Sequence, residues 1–133
     1  MRRVLPVVML ALLVPALQGC SLFSCGDEVT ARAVSPDRRW LAAVLVRNCG
    51  ATTDFATHVT IVEAADEPDD SGDIFVAEAG GAPQAPKGGP EIRLRWLGPD
   101  HLLVAYDVRA EVFHQVVRRR GLRIDYRPEG RAP

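Results

Sequence analysis

The chain has 133 residues, 47% of them hydrophobic and 25% charged, with 16 Lys and Arg against 17 Asp and Glu and a formal net charge of −1. That length suffices for one domain with a real core, and there is no basic excess of the kind that nucleic-acid binding requires. Charge is still unevenly spread, since residues 54–107 are acidic and residues 109–133 basic, so pairing between these segments inside the fold is expected.

Met1-Arg2-Arg3 is followed by an apolar run from Val4 to Leu17 that contains Pro6 and Pro15. Crossing a bilayer takes about 20 apolar residues. A shorter run behind two arginines reads as a secretory signal helix over residues 1–19, separate from the fold. The run ends in Leu17-Gln18-Gly19-Cys20, which resembles the bacterial lipobox. The resemblance implies diacylglycerol and palmitate on Cys20, hence a lipoprotein held to a membrane of the cell envelope by its N-terminal lipid. Ser21, where some such proteins carry Asp, resembles the signal that sorts them to the outer membrane, facing the periplasm. Cleavage after Ala16, with Val14 and Ala16 as the small-residue pair, is the alternative. Residues 20–27 then form the anchor and tether. An acylated Cys20 cannot pair, so the two remaining cysteines make an even set in an oxidising compartment and a Cys25–Cys49 disulfide is expected. Closing that loop stabilises by about 3 kcal/mol in the chain-entropy model.

From residue 28 to 127 the chain reads as strands. Residues 28–34 form the first, and Ser35-Pro36-Asp37 turns the chain into the second, 39–47, which is apolar on both faces. Trp40, Ala42, Val44 and Val46 lie on one side and Leu41, Ala43 and Leu45 on the other, the pattern of a strand buried on both sides. Further strands are expected over 57–64, 73–79, 91–97, 101–108, 111–117 and 121–127. In 91–97, Ile92, Leu94 and Trp96 alternate with Glu91, Arg93 and Arg95, the period of a half-buried strand. Gly98-Pro99-Asp100 is a tight turn, and Gly121 suits a positive φ after Arg118-Arg119-Arg120. The loop 65–73 is acidic, and 80–90 is rich in Gly and Pro and reads as mobile. Residues 128–133 read as a frayed tail. The expected fold is all-β, a small antiparallel meander of about seven to eight strands closed as a barrel or sandwich.

"SPDRRWLA" (35–42) resembles the hairpin of periplasmic β-propeller proteins, with a fainter echo in "RWLGPDHLLV" (95–104). The chain is too short for a propeller, so the likeness implies the hairpin alone. A second resemblance covers most of the chain after the signal. "CGDEV" (25–29), "SPDRRWLAAV" (35–44), "RNCGATTDFATHVTI" (47–61), "GDIFVAE" (72–78), "RWLGPDHLLVAY" (95–106) and "GLRIDY" (121–126) resemble an uncharacterised family of small exported bacterial proteins. The hallmark is the Cys-Gly-Ala-Thr-Thr segment at Cys49 to Thr53. This resemblance implies the fold and the bridge, and no chemistry.

No catalytic constellation is legible. Ser21, Ser24, Ser35 and Ser71 lie outside any nucleophile elbow, and a thiolate on Cys49 near His58 is incompatible with the bridge. Glu111 and His114 have metal-ligand spacing only on a helix, and the acidic loop lacks the spacing of a calcium hand. We therefore expect no enzyme, no metal, no cofactor, no small-molecule ligand and no nucleic acid. Thr52, Thr53, Asp54 and Phe55 follow the expected bridge and form the candidate recognition loop, with Phe55 as anchor; capping of a turn is the structural alternative. Arg118 to Arg120 could meet anionic lipid phosphates or keep a hairpin end soluble. The leading expectation is a binding or accessory envelope protein that engages a protein partner through a strand edge or loop. The alternatives are an inhibitor of a lysozyme-like enzyme and, less favoured, a small enzyme.

Overall fold

The computed structural model describes residues 25–50 and 54–130; the signal over 1–19, Cys20, Thr52 and Thr53 lie outside the described residues. The domain is all-β. Among the described residues nine strands run in order: β1 (Gly26–Val34), β2 (Trp40–Asn48), β3 (Ala56–Glu63), β4 (Asp73–Glu78), β5 (Ile92–Gly98), β6 (His101–Asp107), β7 (Glu111–Gln115), β8 (Arg118–Arg119) and β9 (Leu122–Glu129). A 3-10 turn, Asp70–Gly72, precedes β4. The strands form two sheets, β1-β2-β3-β4-β7 and β5-β6-β9-β8.

The core lies between the sheets. Trp40, Ala42 and Val44 of β2, Val59 and Ile61 of β3, and Ile74, Phe75 and Ala77 of β4 meet Ile92, Leu102, Val104, Leu122 and Ile124 of the second sheet. Phe75 is wholly buried, with its ring 5.1 Å from that of Tyr106 and 5.6 Å from that of Tyr126. Burying a side chain of this size contributes roughly 1.5–3 kcal/mol. The doubly apolar pattern of β2 has a direct counterpart, since every residue from Trp40 to Val46 is buried. On its outer face, Leu41, Ala43 and Leu45 stand opposite Val62, Thr60 and His58 of β3. The acidic segment folds back over this face: the Asp70–Gly72 turn packs on β3, and Asp70 reaches Arg47 at 2.8 Å.

The two sheets meet differently along their two seams. Along one, the chain passes from β7 in the first sheet to β8 in the second at Val116 and Val117. The Val116 amide donates to the Ile74 carbonyl at 2.8 Å, and the Ile124 amide donates to the Val117 carbonyl at 3.0 Å. The Tyr126 hydroxyl caps this corner, 2.6 Å from the Val116 oxygen and 2.9 Å from that of Ile74. Along the other seam, the edge strands β1 and β5 do not pair. The Trp96 indole alone bridges them among the described residues, donating to the Ala33 carbonyl at 2.9 Å.

Several expectations are corrected. Of the two closures expected, barrel or sandwich, the sandwich is adopted, since β1 and β5 stay unpaired. The order is not a pure antiparallel meander: β6 and β9 pair in parallel. Only a short loop separates β6 from β7, yet β7 joins β4 in the opposite sheet, so β9 returns to lie between β6 and β8. A ninth strand, β8, is two residues long, too short to announce itself by periodicity. β1 begins at Gly26, and β9 runs to Glu129, pairing Pro128 with Tyr106. The segment 80–90 is folded: the Ala82 amide donates to the Ala79 carbonyl at 2.7 Å, the Ala85 amide donates to the Gly89 carbonyl at 2.8 Å, and Gln84 bridges to Pro90.

Candidate functional site at the open seam

Edge strands carry unpaired backbone groups, and most proteins blunt them. β1 is blunted by a bulge, its register breaking between Val29 and Ala31. β5 keeps regular register with β6 from Ile92 to Trp96 and is irregular only beyond it. Its residues make no backbone hydrogen bonds outside that ladder among the described residues. A groove of about 480 Å³ runs along the seam, lined by Ala31, Arg32 and Ala33 of β1, Ile92 to Arg95 of β5, and Leu103, Ala105 and Arg127 behind them. A second hollow, about 490 Å³, continues it past Ala31 and Ile92 towards Val44, Val46, Thr57 and the Ala85–Pro90 turn.

The alternation of β5 decides what the groove offers. Arg93 and Arg95 stand on the solvent face beside Ala105 and Leu103, while Ile92, Leu94 and Trp96 turn inward, the last two only half-buried. Arg32 pairs with Glu67 at 3.4 Å. Arg93 and Arg127 share Glu129. Arg95 is exposed and has no carboxylate partner among the described residues. Four guanidinium groups against two carboxylates leave the groove basic, in a chain whose overall charge is slightly acidic.

At the end of the sandwich where β1 starts, Cys25 and Cys49 are joined, with Sγ atoms 2.04 Å and Cα atoms 4.2 Å apart. Of the candidate recognition loop, Asp54 is exposed and Phe55 half-buried. The Phe55 ring lies against the Gly88–Gly89 backbone: a Cβ on Gly88 would stand 2.6 Å from Phe55 Cγ, and one on Gly89 would stand 2.1 Å from Thr57 Oγ1. Both glycines have positive φ, 97° and 67°. Lys87 of the same turn reaches Glu28 at 3.0 Å. Phe55 is thus engaged within the domain.

The Ser35 turn holds β1 to β2 at the opposite end. Ser35 Oγ bonds Asp37 at 2.6 Å and accepts from the Trp40 amide at 3.0 Å. Arg38, the fourth residue of this turn, has a left-handed φ of 59°. Arg39 and Arg120 flank the Trp40 ring, 5.2 Å and 5.8 Å from its centroid. Eight steps of strand, about 26 Å, separate this end from Gly26, so the Arg120 guanidinium beside Trp40 sits far from the bridge, whereas Arg119 reaches back to Ser71 and Asp73.

A polar cluster lies on the outer face of the first sheet. Arg47 holds Asp27 through two bonds of 2.8 Å. The Arg47 hydrogen bond holds the Asp27 carboxyl below its ordinary range, with burial opposing. His58 Nδ1 lies 2.5 Å from Asp73 Oδ2, and Arg119 ties Asp73 and Ser71 by their carbonyls at 3.2 Å and 2.7 Å. A carboxylate beside a histidine is the orienting half of a triad. No serine, threonine or cysteine is hydrogen-bonded to that ring among the described residues, and His58 is only 8% exposed. His101 pairs with Asp125 at 2.7 Å on the other sheet. No three His, Cys, Asp or Glu side chains among the described residues are grouped to hold a metal.

Sequence reasoning placed Arg93 and Arg95 on the outward face but missed the groove. The signal was there in the alternation of 91–97; what was missing was that this strand lies at an edge. Comparison of the chain with protein-family models, curated proteins and solved structures finds no match.

Proposed function

We propose that this chain is a lipid-anchored envelope domain, tethered through Cys20 to the periplasmic side of a membrane, the outer one by its Ser21 signal, and that it acts as a binding or accessory protein with a protein partner. The observation that carries this reading is the use of the cysteines: Cys25 and Cys49 satisfy each other, leaving Cys20 in its lipobox setting as the third sulfur. The tether from residue 20 to 25 reaches at most about 18 Å when extended. It would hold the bridged end, with Phe55 and the Gly88–Gly89 turn, next to the lipid. Arg120, beside Trp40, would then lie at the end away from the anchoring membrane, and the seam would run along the domain's flank towards partners in the periplasm. A role in binding fits a surface that offers a strand edge without a ladder partner among the described residues, together with guanidinium groups.

Mass analysis of the protein from its native host tests the anchor. Acyl chains on residue 20 support it; an unmodified Cys20, or a chain beginning at residue 17, overturns it. Crosslinking in intact cells tests the partner. A discrete protein adduct supports the binding role, recovery of a lysozyme would specify the inhibitor alternative, and adducts absent throughout would overturn it.

A further inference from the structure

We infer that the β5 edge is a docking site for an extended acidic segment of a partner protein, one that alternates acidic and apolar residues and adds as a strand beside Ile92–Trp96. This deepens the binding role proposed above and rests on it. Three observations converge. β5 is an edge strand whose backbone has no ladder partner on its outer side among the described residues. Its register is regular over Ile92 to Trp96, unlike that of β1, so it can accept a ladder without a break. Its side chains alternate between guanidinium groups outward, Arg93 and Arg95, and apolar groups inward, Ile92, Leu94 and Trp96.

Directly opposed residues in adjoining strands project from the same face. A strand added here puts every second side chain beside Arg93 and Arg95, where carboxylates form charge-assisted bonds. The intervening side chains enter between β5 and β1 beside Leu94, which is half-buried, and the added strand takes the place of the Trp96–Ala33 contact. Arg95 is the centre of charge complementarity because no carboxylate pairs with it among the described residues. Arginine on an edge also discourages self-pairing: a second copy of β5 would set arginine against arginine, whereas an acidic partner strand would not. The same residues therefore reject the chain's own kind and admit the complement.

The test uses the full-length protein in detergent and fluorescein-labelled peptides. A short Glu-Val repeat should bind, and a Lys-Val repeat should not. The Glu-Val peptide N-methylated at alternate residues on its pairing edge should lose at least about tenfold in affinity, since the ladder then fails without any change to the protein. Arg93→Glu with Arg95→Glu should lose a similar factor, and Arg118→Glu, on β8 at the opposite edge of the same sheet, should lose none. Amide exchange should slow in β5 and not in β1 on binding. Equal binding of both peptides, indifference to N-methylation, or tighter binding to anionic lipid vesicles than to the peptide would overturn the inference. Acylation of Cys20 is read separately by mass, so failure here leaves the anchor standing and failure there leaves this edge standing.

Discussion

The Trp96 indole donates to the Ala33 carbonyl at 2.9 Å, across the seam where no backbone pairing joins the sheets. One side-chain bond is thus set against the continuous chain through Val116 and Val117 at the opposite corner. Trp96→Phe keeps an aromatic ring against the core and removes only the donor. The loss expected is about 1–2 kcal/mol, the cost of a partner removed from a partly buried carbonyl, read as a lower urea midpoint. An unchanged midpoint would mean that β1 and β5 are held by packing alone.

Tyr126 makes the matching bond at the continuous corner, and burial pushes its phenol up from its ordinary 10.0. The native state therefore favours the neutral form more than the unfolded chain does. That stability is fully present below pH 10.0 and is lost as the pH rises towards the raised native value. Urea unfolding at rising pH should show a steep alkaline loss in the parent and a shallower one in Tyr126→Phe. At neutral pH the variant should lose about 1–3 kcal/mol, because the Val116 carbonyl gives up its donor. Parallel alkaline limbs in the two proteins would remove Tyr126 from this account.

Asp27 gives the opposite sign. Its carboxyl lies below its ordinary 3.8 because Arg47 bonds it, so the native state holds the charged form more firmly than the unfolded chain. That contribution is complete above 3.8 and is lost as the pH falls through the lowered native value. Asp27→Asn should be less stable than the parent at neutral pH, and the gap should narrow as the pH drops below 3.8. Asp107, held down to about 2 by Arg109, titrates in the same region but is present in both proteins. Taking the difference between parent and variant isolates Asp27. A gap that stays constant with pH would show that the Asp27–Arg47 bond does not report through protonation.

The strands were legible because period and burial coincide. Residues 91–97 alternate and are half-buried, and residues 40–46 are apolar throughout and buried throughout. The bridge followed from the odd cysteine. Pairing order was not legible, because it depends on the three residues from Val108 to Ala110, which carry the chain across the sandwich. A hairpin turn and a sheet-crossing turn of that length look alike in sequence. The groove stayed hidden for the same reason, since the exposure of Arg95 is a local property but the edge position of β5 is a property of the whole sheet order. The glycines at 88 and 89 suggested mobility; their positive φ values instead serve close packing on Phe55 and Thr57.

That packing yields a test confined to two positions. A Cβ on Gly88 would lie 2.6 Å from Phe55 Cγ and 3.0 Å from its Cβ, at a backbone φ of 97°. Gly88→Ala should cost about 1–2 kcal/mol for the left-handed backbone and a further 1–3 kcal/mol, approximately, for the collision. Phe55→Ala removes the collision and leaves the backbone cost. In the Phe55→Ala background, Gly88→Ala should therefore destabilise by about 1–2 kcal/mol only, and the double-mutant cycle should show a coupling of the size of the collision. Additive losses would mean that the turn does not rest on Phe55. The ring would then be available at the surface, and the loop from Cys49 to Phe55 would regain its standing as a recognition element.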